Sequence, residues 1–459
     1  MTPNLSLFKS NQLREFLRID YLKSLWSVFP FEVINNYDKK DRRDRVYSTE
    51  NTIMTMVYSS TLADKTLENA VDIFKQIHDN QIDLVLKNAN EAMEQEKAND
   101  LEDLTIRRGP KKKYKLKVSK SKIIEISENT AAYSKARKRV SFELLQNVFY
   151  KTREDSNLNV YWYGMETFLT DGTYVQMQDS KELREIYDVV SVNANYKEAY
   201  PQGLLQSIIR QGSGIIHDYA LANRHVSELS LIYKLIHSIP AKGLLLADDL
   251  YNSFAVFALA RKNDFDIIVP GKRLRNYKVI RQIADGDEIV ELTGNEYPKW
   301  LSKEEVLPEK LLLRRLSFMS LDGAETMVIY TTILNEKILK SEIILKYFTR
   351  WDIEITIREV KTIMEINVLR GKTDDIVRKE LAAALIAYNL IRKIIAQSTE
   401  GTAFSPKRDI IQEFFESNKE LYIDRKGRVY KRWSSGRYGK IEKENIKEDN
   451  PPKTRKTLS

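Results

Sequence analysis

The chain has 459 residues, of which 42% are hydrophobic and 30% are charged, a composition typical of a soluble globular protein with two or three domains. Lys and Arg outnumber Asp and Glu by 74 to 65, and the resulting net charge of +9 favours a polyanionic partner such as nucleic acid. There are no cysteines, so disulfides, zinc ribbons and thiol nucleophiles are excluded. None of the four histidines lies at a metal-ligand spacing. Any chemistry must therefore rest on carboxylates, hydroxyls, cations and added metal ions.

Residues 1 to about 105 repeat apolar residues at helical spacing, which predicts a helical N-terminal region. A basic run, RRGPKKKYKLKVSKSK, follows at Arg107–Lys122. Two interpretations of this run stay equally open: a solvated linker, or an arm that lies along nucleic-acid phosphates. If it is an arm, the candidate DNA-binding residues in it are Arg107, Lys111, Lys112 and Lys113.

From about residue 160 the sequence alternates short apolar strands with helices. The stretch YWYGMETFLTDGTYVQMQ alternates like a strand, and GLLQSIIRQGSGIIHDYALA predicts two strands around a Gly-Ser-Gly turn. A helix, the strand GLLLAD, a second helix and the strand FDIIVPG follow. This order implies parallel pairing and an α/β layer structure.

The pattern changes again between about residues 272 and 335, where two Asp-Gly turns are flanked by strand-like stretches. These turns, Asp285-Gly286 and Asp322-Gly323, predict a small antiparallel β unit inserted into the α/β domain. Helices resume at about Lys340 and run to about Gln397, and LAAALIAYNLI among them predicts a core helix. The basic end of the chain lacks apolar periodicity and is expected to be a flexible tail.

Carboxylates in the stretch YFTRWDIEITIREVK are the first candidates for chemistry. On a single helix at about 100° per residue, Glu354 shares one stripe with Tyr347, Arg350 and Lys361. Asp352 and Glu359 fall on a different face. On the helix alone, the alternative interpretation is an ordinary run of i,i+4 ion pairs on a solvated surface.

Two aspartates upstream favour a working site over that alternative. Asp171 shares a strand face with apolar residues, where a carboxylate is costly unless it is paired or bound to a cation. Asp248 ends an apolar strand, at the edge where parallel sheets place their sites. If the fold brings these aspartates to Glu354, the three carboxylates would suit Mg²⁺ or Mn²⁺, and two such ions could activate a hydroxyl and stabilise a leaving oxygen.

The sequence around these residues resembles that of a known protein family. The spacing Y-x2-R-x3-E-x6-K at Tyr347 to Lys361 is similar to the signature of the bacterial DDE transposases of the insertion sequence 4 type. TDGTYVQMQDS and LLLADDLYNSF resemble the family's two aspartate segments, while AYSKARKRVSFELL and RKELAAALIAYNLIRK resemble flanking segments, all in the family's order. One departure is that Asp249-Leu250 stands where the family commonly has Arg-Gly. We choose Asp248 because it keeps the spacing to Tyr251.

The resemblance implies an α/β fold with a ribonuclease-H-like catalytic core and a β-strand insertion. It implies that Asp171, Asp248 and Glu354 are the catalytic metal ligands, and that they hold two Mg²⁺ ions, which Mn²⁺ can replace. Tyr347, Arg350 and Lys361 would contact DNA phosphates near the cleaved end. Trp300 is the candidate for stacking on a flipped base, although packing on the core of the β unit is the more common role of such a tryptophan.

The predicted organisation has five consecutive parts. They are a helical DNA-binding region with the basic arm (1–125), the first part of the core (126–271), the β insertion (272–335), the rest of the core with the glutamate helix (336–400), and a C-terminal helix with a basic tail (401–459).

The predicted function is cut-and-paste DNA transposition: metal-dependent cleavage at the element ends, followed by strand transfer into target DNA. The partners implied are the terminal inverted repeats, the target DNA and a second copy of the chain in the synaptic complex, with no membrane and no small-molecule cofactor. A hairpin intermediate is the family's expectation. The absence of cysteine fits a bacterial cytoplasm, close to the nucleoid. The alternatives are a nuclease that does not join strands and an inactive DNA-binding regulator.

Overall fold

The computed structural model describes the larger part of the chain between residues 25 and 398, together with three short strands near the end. The described ranges are 25–37, 45–62, 64–75, 126–153, 161–189, 200–271, 276–294, 297–319, 326–398, 421–423, 429–432 and 438–440. The chain divides into two compact units, each made of three separate stretches. We call them the helical unit (1–154, 176–201 and 360–394) and the sheet unit (155–175, 202–359 and 395–459).

The sheet unit contains most of the β-structure that the structure describes. Its strands are β1 (Tyr161–Trp162), β2 (Met165–Met177, whose last two residues belong to the helical unit), β3 (Gln202–Arg210), β4 (Ile216–Asn223), β5 (Leu244–Leu246), β6 (Asp266–Pro270), β7 (Tyr277–Ala284), β8 (Asp287–Thr293), β9 (Lys310–Met319) and β10 (Thr326–Thr331). The order across the sheet is β4-β3-β2-β5-β6-β10-β9-β8-β7, and β1 pairs with the start of β2.

The centre of this sheet is parallel, as the sequence predicts. β2 pairs in parallel with β5, and β5 pairs in parallel with β6. The helices α6 (Glu228–Leu235) and α7 (Phe254–Lys262) begin at Ser227 and Ser253, whose hydroxyls accept backbone N–H groups of the first turn. Both helices pack on the sheet, in a core of buried aliphatic and aromatic side chains. The mixed α/β architecture is therefore confirmed.

The β3–β4 hairpin lies at one side of the parallel centre and also confirms the prediction. Its turn carries Gly212 and Gly214 at φ angles of 87° and 68°, in the left-handed region that glycine adopts without strain. Strand β3 is almost fully buried, whereas β4 is buried mainly in its first three residues.

The predicted β insertion forms β7 to β10, and all its neighbouring strands are antiparallel. It is not a separate sheet, however, because β10 pairs with β6 and so continues the central sheet. The Asp285-Gly286 turn is present, with Gly286 at a φ of 61°. The Asp322-Gly323 turn lies outside the described residues. The edge strand β7 exposes nearly all its side chains and has two irregularities in its register with β8.

The helical unit is described by α1 (Phe31–Tyr37), α2 (Thr49–Ser59), α3 (Thr130–Arg139), α4 (Phe142–Thr152), α5 (Lys181–Tyr187) and most of α10 (Asp374–Ser398), with a further helix at 67–75. A short strand, β11 (Val368–Leu369), pairs in parallel with the last residues of β2. The predicted core helix is confirmed, because α10 is buried from Leu381 to Leu390. None of the helices in the described ranges is long and apolar enough to cross a bilayer.

Two parts of the chain differ from the sequence prediction. The stretch predicted as one helix around Glu354 is divided into α8 (Lys340–Phe348), a 3-10 turn (Thr349–Trp351) and α9 (Asp352–Ile363). The predicted flexible tail contains the antiparallel strands β12 (Leu421–Ile423), β13 (Val429–Arg432) and β14 (Tyr438–Lys440), which are short and rich in β-forming residues. The division into five consecutive parts remains a prediction.

Candidate active site

The two predicted catalytic aspartates lie on neighbouring parallel strands of the sheet unit. Leu169 of β2 is in register with Leu246 of β5, and Asp171 and Asp248 each follow that pair by two residues. Parallel register therefore brings both aspartates to the same level of the sheet. β5 ends at this level, whereas β2 continues to Met177, so Asp171 lies within a strand and Asp248 at the end of one.

Backbone N–H groups hold both carboxylates in place. The Gly172 N–H donates to Oδ1 of Asp171 at 2.9 Å. Asp248 caps the 3-10 helix Asp249–Tyr251, and its Oδ1 accepts the Leu250 N–H, also at 2.9 Å. Both aspartates are half-buried. Asp249 is the first residue inside that 3-10 helix, so the capping position belongs to Asp248.

Asp171 lies in an environment that disfavours its charge. The pKa of Asp171 is raised to about 6, mainly by burial and also by the nearby carboxylates of Glu228 and, more weakly, Asp248. The Gly172 N–H and the Arg350 guanidinium oppose the rise in pKa. Repulsion among carboxylates at one place is the condition that a bound divalent cation relieves.

Glu228, which the sequence analysis does not select, lies directly beside Asp171. It is the first residue of α6, and its carboxylate rests on the backbone of Gly172. A Cβ at position 172 would lie 2.6 Å from Cδ of Glu228, closer than any side chain tolerates. Burial raises the pKa of Glu228, and the Asp248 carboxylate also raises it. In the sequence, an acid after a helix-capping serine is an ordinary first-turn residue, so no pattern distinguishes it.

A buried chain of hydrogen bonds supports Glu228 from the sheet. The Tyr251 hydroxyl donates to Oε2 of Glu228 at 3.1 Å. The side chain of Gln206 on β3 donates from Nε2 to the Tyr251 oxygen at 2.8 Å and to Oγ1 of Thr170 at 2.7 Å. Gln206, Thr170 and Tyr251 are each at most 1% exposed, so these bonds are shielded from water.

Tyr347 and Arg350 lie within electrostatic reach of the aspartates. Tyr347 is 7% exposed, and burial raises the pKa of its phenol to about 12, with Asp248 and Asp249 adding to the rise. Arg350 hydrogen bonds with this phenol and acts in the opposite direction on its pKa. The Arg350 guanidinium also lies 4.9 Å from the centre of the Trp351 ring. The structure thus brings Tyr347 and Arg350 to Asp171 and Asp248.

The segment that carries Glu354 is anchored by polar contacts at its start. Nζ of the buried Lys346 donates to Oε1 of Gln211 at 2.7 Å. Nε2 of Gln211 donates to Oδ2 of Asp352 at 3.3 Å, at the first residue of α9. Asp352, which the sequence places on a solvated face, is therefore a half-buried anchor of this helix. Glu354 lies on α9, but its side chain is outside the described residues.

The other predicted binding residues are Lys361, Trp300 and the four residues of the basic arm. Lys361 belongs to the last turns of α9, in the helical unit, and burial lowers the pKa of its amine. Trp300 is half-buried against the core of the sheet unit, with its ring centre 6.3 Å from that of Tyr233. This packing matches the common role of a tryptophan on its own core. Four predicted arm residues lie outside the described residues: Arg107, Lys111, Lys112 and Lys113.

The donor chemistry of the aspartate pair fits a hard divalent cation. Asp171 and Asp248 present carboxylate oxygens, the ligands that Mg²⁺ and Mn²⁺ prefer. Among the side chains that the structure describes, no three His, Asp or Glu form a group able to hold a metal ion. The third predicted ligand, Glu354, is not among those side chains. Asp171 and Asp248 therefore fit two of the three predicted positions of metal ligands.

Comparisons with known proteins agree on one family. The family model described as "Transposase DDE domain" matches residues 162–390. The transposase InsG for insertion sequence element IS4 of Escherichia coli strain K12 is 26% identical over 270 residues, which cover 57% of this chain and 60% of InsG. The putative transposase InsZ of the same strain is 29% identical over 127 residues, which cover 27% of this chain and 42% of InsZ.

A third relative is the putative transposase y4zB of Sinorhizobium fredii, 31% identical over 139 residues that cover 29% of this chain and 37% of y4zB. The chain thus spans 60% or less of the length of each of these relatives. A cryo-EM structure of a piggyBac transposase synaptic complex with hairpin DNA aligns with 90% of this chain and with 80% of the piggyBac chain. The sequence identity is 6% and the TM-score is 0.36, and a similarity at this level carries no inference. The family match and the relatives together show that this chain belongs to the bacterial DDE transposases of the insertion sequence 4 type.

Proposed function

We propose that the chain catalyses metal-dependent cleavage at the ends of its own DNA element and transfers the freed strand into target DNA by a cut-and-paste route. The observation that carries the proposal is the pairing of Asp171 and Asp248 at one level of two parallel strands, inside the segment that the DDE family model matches. Tyr347 and Arg350 beside them supply groups that suit a DNA phosphate.

Asp171, Asp248 and Glu354 would hold the metal ions. When bound, two such ions supply an activated water or hydroxyl and stabilise the leaving oxygen of a phosphodiester. Asp171 and Asp248 are fixed by backbone N–H groups, so their oxygens are oriented before any ligand arrives. The α9 helix, anchored at Asp352, carries Glu354.

Tyr347 and Arg350 would bind the phosphate at the cleaved end. The Tyr347 phenol is protonated at neutral pH, and its raised pKa keeps it so under more alkaline conditions, so it can donate a hydrogen bond to a phosphate oxygen. The Arg350 guanidinium provides the positive charge and the planar donors that phosphates favour. Lys361 is also proposed to contact a DNA phosphate, and Trp300 is proposed as a candidate for stacking on a base.

The rest of the chain would bind and assemble the DNA. We propose that residues 1–125, with the basic arm, recognise the terminal inverted repeats. Joining two ends needs two active sites, which supports a dimer assembled on DNA. A net charge of +9 favours the long-range attraction to DNA that such assembly needs.

A cleavage and strand-transfer assay on the element's own ends, with Mg²⁺ or Mn²⁺, tests the proposal. We expect the wild-type chain to cleave and join, and Asp171→Asn, Asp248→Asn and Glu354→Gln each to lose both steps by about 10³-fold or more. Asp249→Asn is the matched control for the neighbouring aspartate and should retain both. Cleavage that survives Glu354→Gln would refute the site, and cleavage without joining in the wild type would indicate a nuclease instead.

A further inference from the structure

We propose that Glu228 is a positioning residue of this active site: its carboxylate, fixed beside Asp171, orients that aspartate and adds negative charge that strengthens divalent-cation binding by Asp171 and Asp248. The inference rests on the proposed function and deepens it. It adds a fourth carboxylate to the three that the family signature implies.

Glu228 is fixed from two sides. Its Oε2 accepts the Tyr251 hydroxyl at 3.1 Å, and Tyr251 is itself held by Gln206 at 2.8 Å. On the other side the carboxylate rests on Gly172, with both oxygens 2.9 Å from where a Cβ would lie. Because a residue with a Cβ would displace Glu228, the glycine after Asp171 is what allows this close approach.

Glu228 acts on Asp171 through a shared donor and through its charge. The Gly172 N–H donates to Oδ1 of Asp171 at 2.9 Å, and the same N–H hydrogen bonds with Glu228. Of the charged neighbours of Asp171, Glu228 has the largest electrostatic effect on it, larger than that of Asp248. A change at Glu228 therefore alters both the orientation of Asp171 and the potential at the aspartate pair.

A role as direct metal ligand is not what the geometry favours. Glu228 is instead engaged by Tyr251 and by Gly172, in the manner of the outer partners that orient metal ligands. Its effect should consequently appear in cation affinity rather than in the chemical step.

Mn²⁺ binding to the full-length protein without DNA tests this role, with free Mn²⁺ measured by its EPR spectrum. We expect Glu228→Gln, which keeps the size of the side chain and an acceptor for Tyr251 but removes the charge, to weaken Mn²⁺ binding about tenfold. Glu228→Asp should recover part of that loss because it restores the charge. Glu143→Gln is the matched control, an exposed first-turn acid behind the capping serine of α4, and should bind Mn²⁺ like the wild type.

Activity as a function of Mn²⁺ separates positioning from catalysis. Cleavage by Glu228→Gln should return towards the wild-type rate as the Mn²⁺ concentration is raised, whereas Asp171→Asn should stay inactive. Tyr251→Phe provides a second route, because it removes the hydroxyl that holds Glu228 and should weaken Mn²⁺ binding a few-fold.

Two different results would contradict this inference, and they can be told apart by the Mn²⁺ affinity of Asp171→Asn. Wild-type Mn²⁺ affinity in both Glu228→Gln and Tyr251→Phe, combined with loss of binding in Asp171→Asn, would overturn the role of Glu228 and leave the proposed function standing. Wild-type Mn²⁺ affinity in Asp171→Asn would overturn the proposed metal site and this inference with it.

Discussion

At the scale of single residues, the site is a set of acidic groups held in place by backbone N–H groups and buried hydroxyls. Asp171 and Asp248 could be predicted from the sequence, because a carboxylate on an apolar strand or at its end departs from the strand pattern. Glu228 could not, because its importance comes from the Gly172 backbone beneath it, a contact between residues 56 positions apart that no local pattern encodes.

Asp171 should make the stability of the protein fall as pH rises through the acidic range. Its folded-state pKa of about 6 lies above its ordinary value of 3.8, so the folded protein retains a proton that the unfolded chain has lost between these values. The stability that Asp171 contributes is therefore fully present below about pH 4. It falls by up to ~3 kcal/mol in total as the pH rises to about 6, and above that pH it stays constant.

Urea unfolding of wild type and Asp171→Asn between pH 4 and 8, without divalent metal, measures this effect. We expect the stability of Asp171→Asn relative to the wild type to rise from pH 4 to about pH 6 and then to level off. Ser213→Ala, which removes no titratable group, serves as the control and should show no such window. A difference between Asp171→Asn and wild type that is the same at all pH values would contradict the raised pKa.

At the scale of elements, the most informative feature is the break between α8 and α9. The sequence predicts one helix from Tyr347 to Lys361, and helical residues do occupy that span, but a 3-10 turn interrupts it at Thr349–Trp351. No glycine or proline marks the break. The turn adds roughly 60° of rotation over three residues relative to a straight α-helix, so angles computed on one helix do not transfer across it.

Gln211 should be required for the stability of this junction. Its side chain accepts from the buried Lys346 and donates to Asp352 and to the Thr349 carbonyl, so it contacts α8, the 3-10 turn and α9 together. We expect Gln211→Leu to lower the free energy of unfolding by about 1–3 kcal/mol, because buried polar groups lose partners. Hydrogen exchange at the α9 amides should also become faster.

The neighbouring hairpin offers a control for this change. Ser213 lies in the same turn as Gln211, and Ser213→Ala changes a side chain there without removing the bonds to Lys346 and Asp352. Protection of α9 amides in Gln211→Leu equal to that in Ser213→Ala would show that Gln211 does not anchor the helix.

At the scale of the whole chain, long-range connections decide the structure. The antiparallel strands between Asp248 and Glu354 join the central sheet through β10 and β6, a pairing between residues about 60 apart in sequence. The turns and strands of this part could be predicted from local pattern, but its place in the sheet could not. Its last connection, which leads into α8, is secured by Arg314 on β9.

Arg314 and Asp287 should therefore be important for overall stability. The guanidinium is 1% exposed and bonds with both Asp287 oxygens at 2.8 and 2.6 Å and with the carbonyls of Asn335 and Ile338. Asp287→Ala leaves this charge buried without its carboxylate, so we expect a loss of about 3–5 kcal/mol in urea unfolding. The exposed pair of Arg281 and Glu336 is the control, and Glu336→Gln should cost less than about 1 kcal/mol.

The same antiparallel strands end in β7, the last strand in the described order of the sheet, whose exposed side chains include Val279 and Ile280. A sheet edge with unpaired backbone groups and apolar side chains is a template on which another chain can form an additional strand. The neighbouring charges, Lys278 and Arg281, and the irregular register with β8 both discourage such pairing. The two cations and the irregular register thus oppose edge-to-edge aggregation of the sheet, and neutralising Lys278 and Arg281 is expected to lower solubility before it affects catalysis.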